Sequence, residues 1–148
     1  MKNVLISACL FGEKCRYDGK DNLISRLDEI KKICSLIPVC PEVSGGLTTP
    51  RSPSEIVGGK VITNDGRDVT KEYTTGAETA LKTALENGCK IALMKAKSPS
   101  CGSGKIYDGT FSRTLVDGDG VTVQLLKENG IAVFDETKIE DFLEYISK

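Results

Sequence analysis

The stretch Val69–Lys95, VTKEYTTGAETALKTALENGCKIALMK, decides the fold. Ala77, Leu81, Ala84 and Leu85 recur at helical spacing, so a helix with these residues inward is predicted over Val69–Asn87. Asp68 or Thr70 can cap its start, and Gly88 stops it. The apolar run Ile91-Ala92-Leu93-Met94 is too short for a helix and predicts a strand over Lys90–Lys95. A helix that feeds directly into a buried strand is the repeating unit of a parallel sheet covered by helices.

The rest of the chain extends that unit in both directions. Lys2–Ala8 reads as a short buried strand, followed by a loop over Cys9–Asp21. Leu27, Ile30, Ile33, Cys34 and Ile37 form one stripe and predict a helix over Leu23–Leu36. Val39 then sits in a very short second strand closed by Pro41, and Glu42–Glu55 is a long Gly/Pro/Ser/Thr-rich loop. Ile56-Val57 and Val61-Ile62-Thr63 flank Gly58-Gly59, the signature of a tight hairpin. Beyond Lys95 come a second long loop (Ala96–Thr114), a helix (Asp119–Asn129), a strand (Ile131–Phe134) and an amphipathic helix (Thr137–Ser147). The expected class is α/β: one domain over residues 1–148, a three-layer Rossmann-like open sheet, mostly parallel. It has about four strands in the order 2-1-3-4, plus a small β-hairpin.

Composition narrows the chemistry. The chain has 148 residues, 39% hydrophobic and 28% charged, enough for an ordinary core. Its net charge of −1 lacks the basic footprint of a general nucleic-acid binder, so no large nucleic acid is expected as partner. There is no His, which excludes Ser-His-Asp and Cys-His nucleophiles and any His-ligated metal. The opening Met1–Cys9 is too short an apolar run for a secretion leader, and no window is long enough to span a bilayer. A cytoplasmic location is therefore expected, where thiols stay reduced. Six cysteines in such a chain point to metal or catalysis, and the absence of any C-x-x-C pair argues against a zinc ribbon or a dithiol redox motif.

Three of these cysteines are placed for a common purpose. Ligands of an open α/β sheet bind beyond the C-terminal ends of its strands. Cys9 follows the first strand, Cys40 follows the second, and Cys101 lies in the loop after the third. In the order 2-1-3 these strands are neighbours, so the three thiols can meet. Three thiolates without His suit a soft metal or an iron–sulfur cluster. A closed zinc site would recruit Cys15 as fourth ligand, and a third possibility is thiol redox or sulfur transfer through Cys9 and Cys15. Cys34 and Cys89 read as core. Glu42, two residues past Cys40, is a candidate general base for a water. Ser98 and Ser100, in the hydroxyl-rich loop Ser98–Gly104, can present hydroxyls and N–H groups to an anion or a polarised carbonyl. Arg51, Lys95 and Lys97 add positive charge near the same end and could hold a phosphate.

The strings that carry these residues are also diagnostic. Ala8-Cys9-Leu10-Phe11-Gly12, Cys15-Arg16-Tyr17-Asp18-Gly19, Pro38-Val39-Cys40-Pro41-Glu42 and Gly46-Leu47-Thr48-Thr49-Pro50-Arg51 occur in that order. Lys97-Ser98-Pro99-Ser100-Cys101-Gly102 and Ile106-Tyr107-Asp108-Gly109-Thr110-Phe111 follow. Across nearly the whole chain this set resembles the small single-domain thiouracil desulfidases. The resemblance implies a 4Fe–4S cluster held by Cys9, Cys40 and Cys101, with one open iron as the Lewis acid that captures sulfur. It implies Glu42 as the family's glutamate, and Ser98 or Ser100 as its serine, with Ser98 favoured. The implied reaction is a non-redox, hydrolytic desulfuration of a thiolated pyrimidine, 4-thiouracil or its nucleotide, releasing hydrosulfide. Arg51 and Lys97 would then bind substrate.

Overall fold

In the computed structural model, which describes residues 1–148, the strand β5 (Ile91–Met94) lies at the centre of the molecule with all four residues buried. It pairs in parallel with β1 (Lys2–Ser7), matching Val4 to Ile91 and Ile6 to Leu93. β1 pairs in parallel with β2 (Cys34–Val39), and β5 with β8 (Ala132–Asp135). The sheet order is β2-β1-β5-β8, all parallel, which is the 2-1-3-4 order expected.

Alternate residues of the central strands face opposite layers, as the pleat requires. Val4, Ile6, Ile91 and Leu93 pack against Leu27 and Ile30 of α1 (Leu27–Lys31) and Phe142 of α5 (Ile139–Ile146). Leu5, Ala92 and Met94 pack against Ala84 of α3 (Thr70–Glu86) and Val123 and Leu126 of α4 (Val121–Glu128). The result is helix, sheet, helix. Asp68 starts α3 by accepting the Thr70 N–H at 2.9 Å. The buried face of α3 is Tyr73, Gly76, Ala77, Ala80 and Ala84. Leu85, expected inward, is 59% exposed, because this small-residue stripe turns it away from the sheet.

Four further expectations are corrected. The first helix does not run over Leu23–Leu36 but is confined to Leu27–Lys31, and Cys34 is a core residue of β2 rather than of that helix. The second strand is correspondingly longer than foreseen. Cys34 and Leu36 face one layer and Ile37 and Val39 the other. That period-2 pattern was masked by Ile30 and Ile33, which complete a false helical stripe. Pro38 is tolerated because β2 is an edge strand. The Glu42–Glu55 stretch is not all loop. It carries the helical turn α2 (Pro41–Ser44), with Pro at its first position, before the hairpin β3 (Ser54–Val57) and β4 (Lys60–Thr63). The Ala96–Thr114 loop contains half of a second hairpin, β6 (Lys105–Tyr107) with β7 (Leu115–Asp117).

Two glycines set α2 against α3. A Cβ on Gly76 would stand 1.8 Å from the Pro41 carbonyl oxygen, and one on Gly45 would stand 1.9 Å from that of Glu72. Both obstacles are backbone, so the short helix that follows Cys40 must move if either residue gains a side chain. Gly76→Ala is expected to destabilise the fold by roughly 1–3 kcal/mol through overpacking, despite the better helix propensity of Ala. Urea unfolding of the variant beside the parent measures this; an unchanged midpoint would mean that α2 is free to shift.

Candidate active site

The C-terminal ends of β2, β1 and β5 open into a cleft of about 550 Å³. Cys9, Cys15, Cys40 and Cys101 all line it. Each is delivered by a different local structure. The Ala8 N–H donates to the Val39 carbonyl at 2.7 Å, which binds the turn carrying Cys9 to the end of β2. The Cys9 carbonyl accepts from the N–H groups of Gly12 and Asn22, closing that loop. Cys40 caps α2, and its carbonyl accepts the Ser44 N–H at 2.9 Å. Cys101 is carried by a loop seated on the start of α4, where Pro99 and Ser100 carbonyls accept from Val121, Thr122 and Val123. A Cβ on Gly120 would lie 2.5 Å from the Ser100 carbonyl carbon, so this seat also depends on a glycine.

All six cysteines are free thiols. The neighbouring Cys15 thiol pulls the pKa values of Cys9 and Cys40 down, and its own is pushed up in return. The Cys40 pKa falls to about 7, chiefly through Cys15, with the Val43 N–H adding to the effect against the opposing cost of burial. Cys40 Sγ also lies 3.9 Å from the Cys15 carbonyl oxygen, to which it donates only while it keeps its proton. Cys101 is pushed up to about 12 by burial, partly offset by the nearby Ser100 and Ser7 hydroxyls. Cys34 and Cys89 are buried elsewhere, with pKa values raised by burial alone.

Beside the thiols lies a chain of polar groups. Arg51 Nε donates to Glu42 Oε2 at 2.9 Å, and Arg51 Nη2 lies 2.7 Å from the same oxygen. Glu42 Oε1 accepts the Ser100 hydroxyl at 2.9 Å. Ser100 Oγ is 3.0 Å from Ser98 Oγ and 3.4 Å from Cys101 Sγ. Ser98 Oγ also accepts the N–H groups of Ser100 and Cys101, both at 3.1 Å. Ser100 is buried, whereas Ser98 is half-buried at the cleft wall. The two serines therefore have different places: Ser98 is the more exposed, and Ser100 joins it to Glu42.

Arg51, expected to hold an anion, is fully engaged within the protein. Its Nη2 also donates to the Cys15 carbonyl at 2.9 Å, and its Nη1 to Thr48 O and Thr49 Oγ1. Four hydrogen bonds and the close ion-pair contact with Glu42 occupy its guanidinium. Burial opposes its charge, but the attraction and hydrogen bond of Glu42 outweigh that and raise its pKa. Lys95 is likewise paired, with Glu136 at 2.7 Å. Lys97 is exposed at the cleft rim with φ of +70°.

Several cleft residues were not foreseen. Tyr73 of α3 is 2% exposed, and burial, reinforced by the nearby Glu42 charge, drives its pKa upward. Glu55 of β3 and Tyr107, Phe111 and Arg113 of the second hairpin also reach the cleft. The only hint of the last group was the string Ile106–Phe111.

An open parallel sheet, a thiol-lined cleft at its switch point and a carboxylate–hydroxyl chain along one wall define a small α/β enzyme. Residues 4–138 match the model of a family described as 2-thiouracil desulfurase, and the chain belongs to that family. It is 40% identical over 150 aligned residues to the uncharacterized protein YbbK of Bacillus subtilis (strain 168), covering 95% of this chain and 99% of that one. It is also similar to a solved structure described as the [4Fe-4S]-dependent thiouracil desulfidase TudS. The TM-score is 0.94 and the identity 43%, covering 99% of each chain. No helix is long and apolar enough to cross a membrane.

No three Cys, Asp or Glu donors are drawn together tightly enough to hold a single ion. A lone zinc draws every ligand sulfur to about 2.3 Å from one point. A cubane cluster instead binds each cysteine to a separate iron, so its thiols stand farther apart. Three thiol donors at neighbouring strand ends, lining one cleft in a chain without His, fit such a cluster by their chemistry.

Proposed function

We propose that this chain is a [4Fe–4S]-dependent desulfidase that hydrolyses the thiocarbonyl of a thiolated pyrimidine, 4-thiouracil or its nucleotide, in the cytoplasm. One observation carries the reading: the three thiols and the Glu42–Ser100–Ser98 chain line the same cleft. Cys9, Cys40 and Cys101 would hold the cluster. When bound, the cluster supplies a soft Lewis-acidic iron for the substrate's sulfur, turning a poor leaving group into a good one.

The chain's own residues do the rest. Glu42 Oε1 receives the proton of the attacking water, either directly or through Ser98 and Ser100. In the relay, Ser98 takes the water's proton as it gives its own to Ser100 and Ser100 gives its own to Glu42, so no hydroxyl is left charged. The return of that proton serves the departing sulfur. Arg51 fixes the other oxygen, Oε2, and through the Cys15 carbonyl ties the carboxylate to the thiol loop. Lys97, exposed at the rim, would meet the phosphate of a nucleotide substrate.

Iron and acid-labile sulfide per chain, on protein purified without oxygen, test this directly. About four of each are expected, together with hydrosulfide release from 4-thiouracil. One zinc and no labile sulfide would overturn it. That result would favour a closed site that recruits Cys15, which lines the same cleft, as fourth ligand.

A further inference from the structure

Glu55 lies opposite the thiol chemistry in function: it binds a loop. Its Oε1 accepts the N–H of Gly109 at 2.9 Å and of Phe111 at 3.1 Å. These bonds clamp the tip of the second hairpin to β3. The contact is close, since a Cβ on Gly109 would stand 2.6 Å from the Ile56 carbonyl oxygen. They also hold Phe111 at φ of +57°, a backbone region that bulky residues rarely adopt. Phe111 and Tyr107 are thereby kept at the cleft.

Oε2 of the same carboxylate has no protein hydrogen bond. Glu55 is only 8% exposed, yet Oε2 is not sealed in the interior, where Thr122 Oγ1 is the sole side-chain oxygen or nitrogen without a partner. Since Glu55 lines the cleft, its remaining accessible surface belongs there. The cleft wall therefore carries one acceptor oxygen without a protein partner, on a side chain immobilised by two backbone donors, and two aromatic side chains line the same cleft. That is a site for a flat heterocycle with an N–H on its edge.

We infer that Glu55 is a specificity-determining residue, whose Oε2 accepts a ring N–H of the substrate pyrimidine while Oε1 holds the aromatic wall in place. This rests on the desulfidase reading for the choice of ring, but not for the contact itself. A site built to accept a hydrogen bond strongly rejects an analogue that lacks the donor. The test uses cluster-loaded protein and compares 4-thiouracil with its N1-methyl and N3-methyl derivatives. One of the two methyl groups is expected to raise KM by roughly tenfold or more.

Glu55→Gln keeps an oxygen for the Gly109 and Phe111 N–H groups and replaces the acceptor Oε2 by a donor. In this variant the penalty for that methyl group is expected to shrink to about threefold or less, with KM for 4-thiouracil raised and kcat little changed. Calorimetric binding of uracil, N1-methyluracil and N3-methyluracil gives the same comparison without turnover. Equal binding of all three by the parent, absence of binding, or an unchanged methyl penalty in Glu55→Gln each overturns the inference. Failure of the parent to release sulfide from 4-thiouracil defeats the desulfidase reading instead, and the calorimetry still decides the role of Glu55.

Discussion

Cys9→Ala, Cys40→Ala and Cys101→Ala are each expected to lose the cluster and all measurable sulfide release, whereas Cys34→Ala and Cys89→Ala keep both. The contrast follows from position. The first three thiols line one cleft at the ends of three adjacent strands. Cys34 instead donates to the Ile30 carbonyl at 3.4 Å in one core layer, and Cys89 is buried in the other. Removing either core thiol deletes one small buried group, worth about 1 kcal/mol of stability and nothing in metal content. Cys15→Ala separates the two ways of using four thiols. It keeps the cluster if three cysteines suffice, and it empties a closed four-ligand zinc site. Iron, zinc and labile sulfide per chain read every variant on one scale. Retention of a full cluster after loss of Cys9, Cys40 or Cys101 would remove that residue from the ligand set.

How far the sequence alone reaches is visible in the same residues. The strand order was legible because Ile91–Met94 and Val4–Ile6 are buried apolar runs bounded by helix stops and loops. Given that order, the meeting of Cys9, Cys40 and Cys101 followed from the rule for open sheets. The stretch near residue 34 is ambiguous because Cys34 and Ile37 complete the helical stripe of Leu27, Ile30 and Ile33 and also belong to the alternating strand Cys34–Val39. Only the tertiary pairing of Lys2–Ser7 with Cys34–Val39 decides between them. The roles of Gly45 and Gly76 were invisible for a different reason. Their demand is a backbone contact between α2 and α3, which no local pattern encodes. Arg51 was legible as a nearby charge, but not as one occupied within the protein. Likewise Ser98 and Ser100 are equivalent in sequence, and only burial and the bond to Glu42 tell them apart.

Glu42→Gln is expected to retain the cluster and the fold but to lower kcat on the order of 10²–10⁴-fold. Gln is chosen over Ala for a physical reason. Arg51 and Glu42 form an ion pair with side chains 7% and 14% exposed, and deleting one partner strands the other charge. Breaking such a buried pair costs about 3–5 kcal/mol, so Glu42→Ala risks displacing the loop that carries Cys15 and confounding chemistry with structure. The amide of Gln still offers one oxygen, to Ser100 or to Arg51, but it cannot take up a proton near neutral pH. If Glu42 is the proton acceptor, kcat falls while KM for 4-thiouracil stays close to the parent value and iron content is unchanged. A rise in KM at constant kcat would assign Glu42 to binding instead, since uniform binding energy lost from ground and transition states leaves kcat alone. Full activity with intact cluster would take the carboxylate out of the mechanism and leave water activation to the cleft hydroxyls, of which Ser98 is the more exposed.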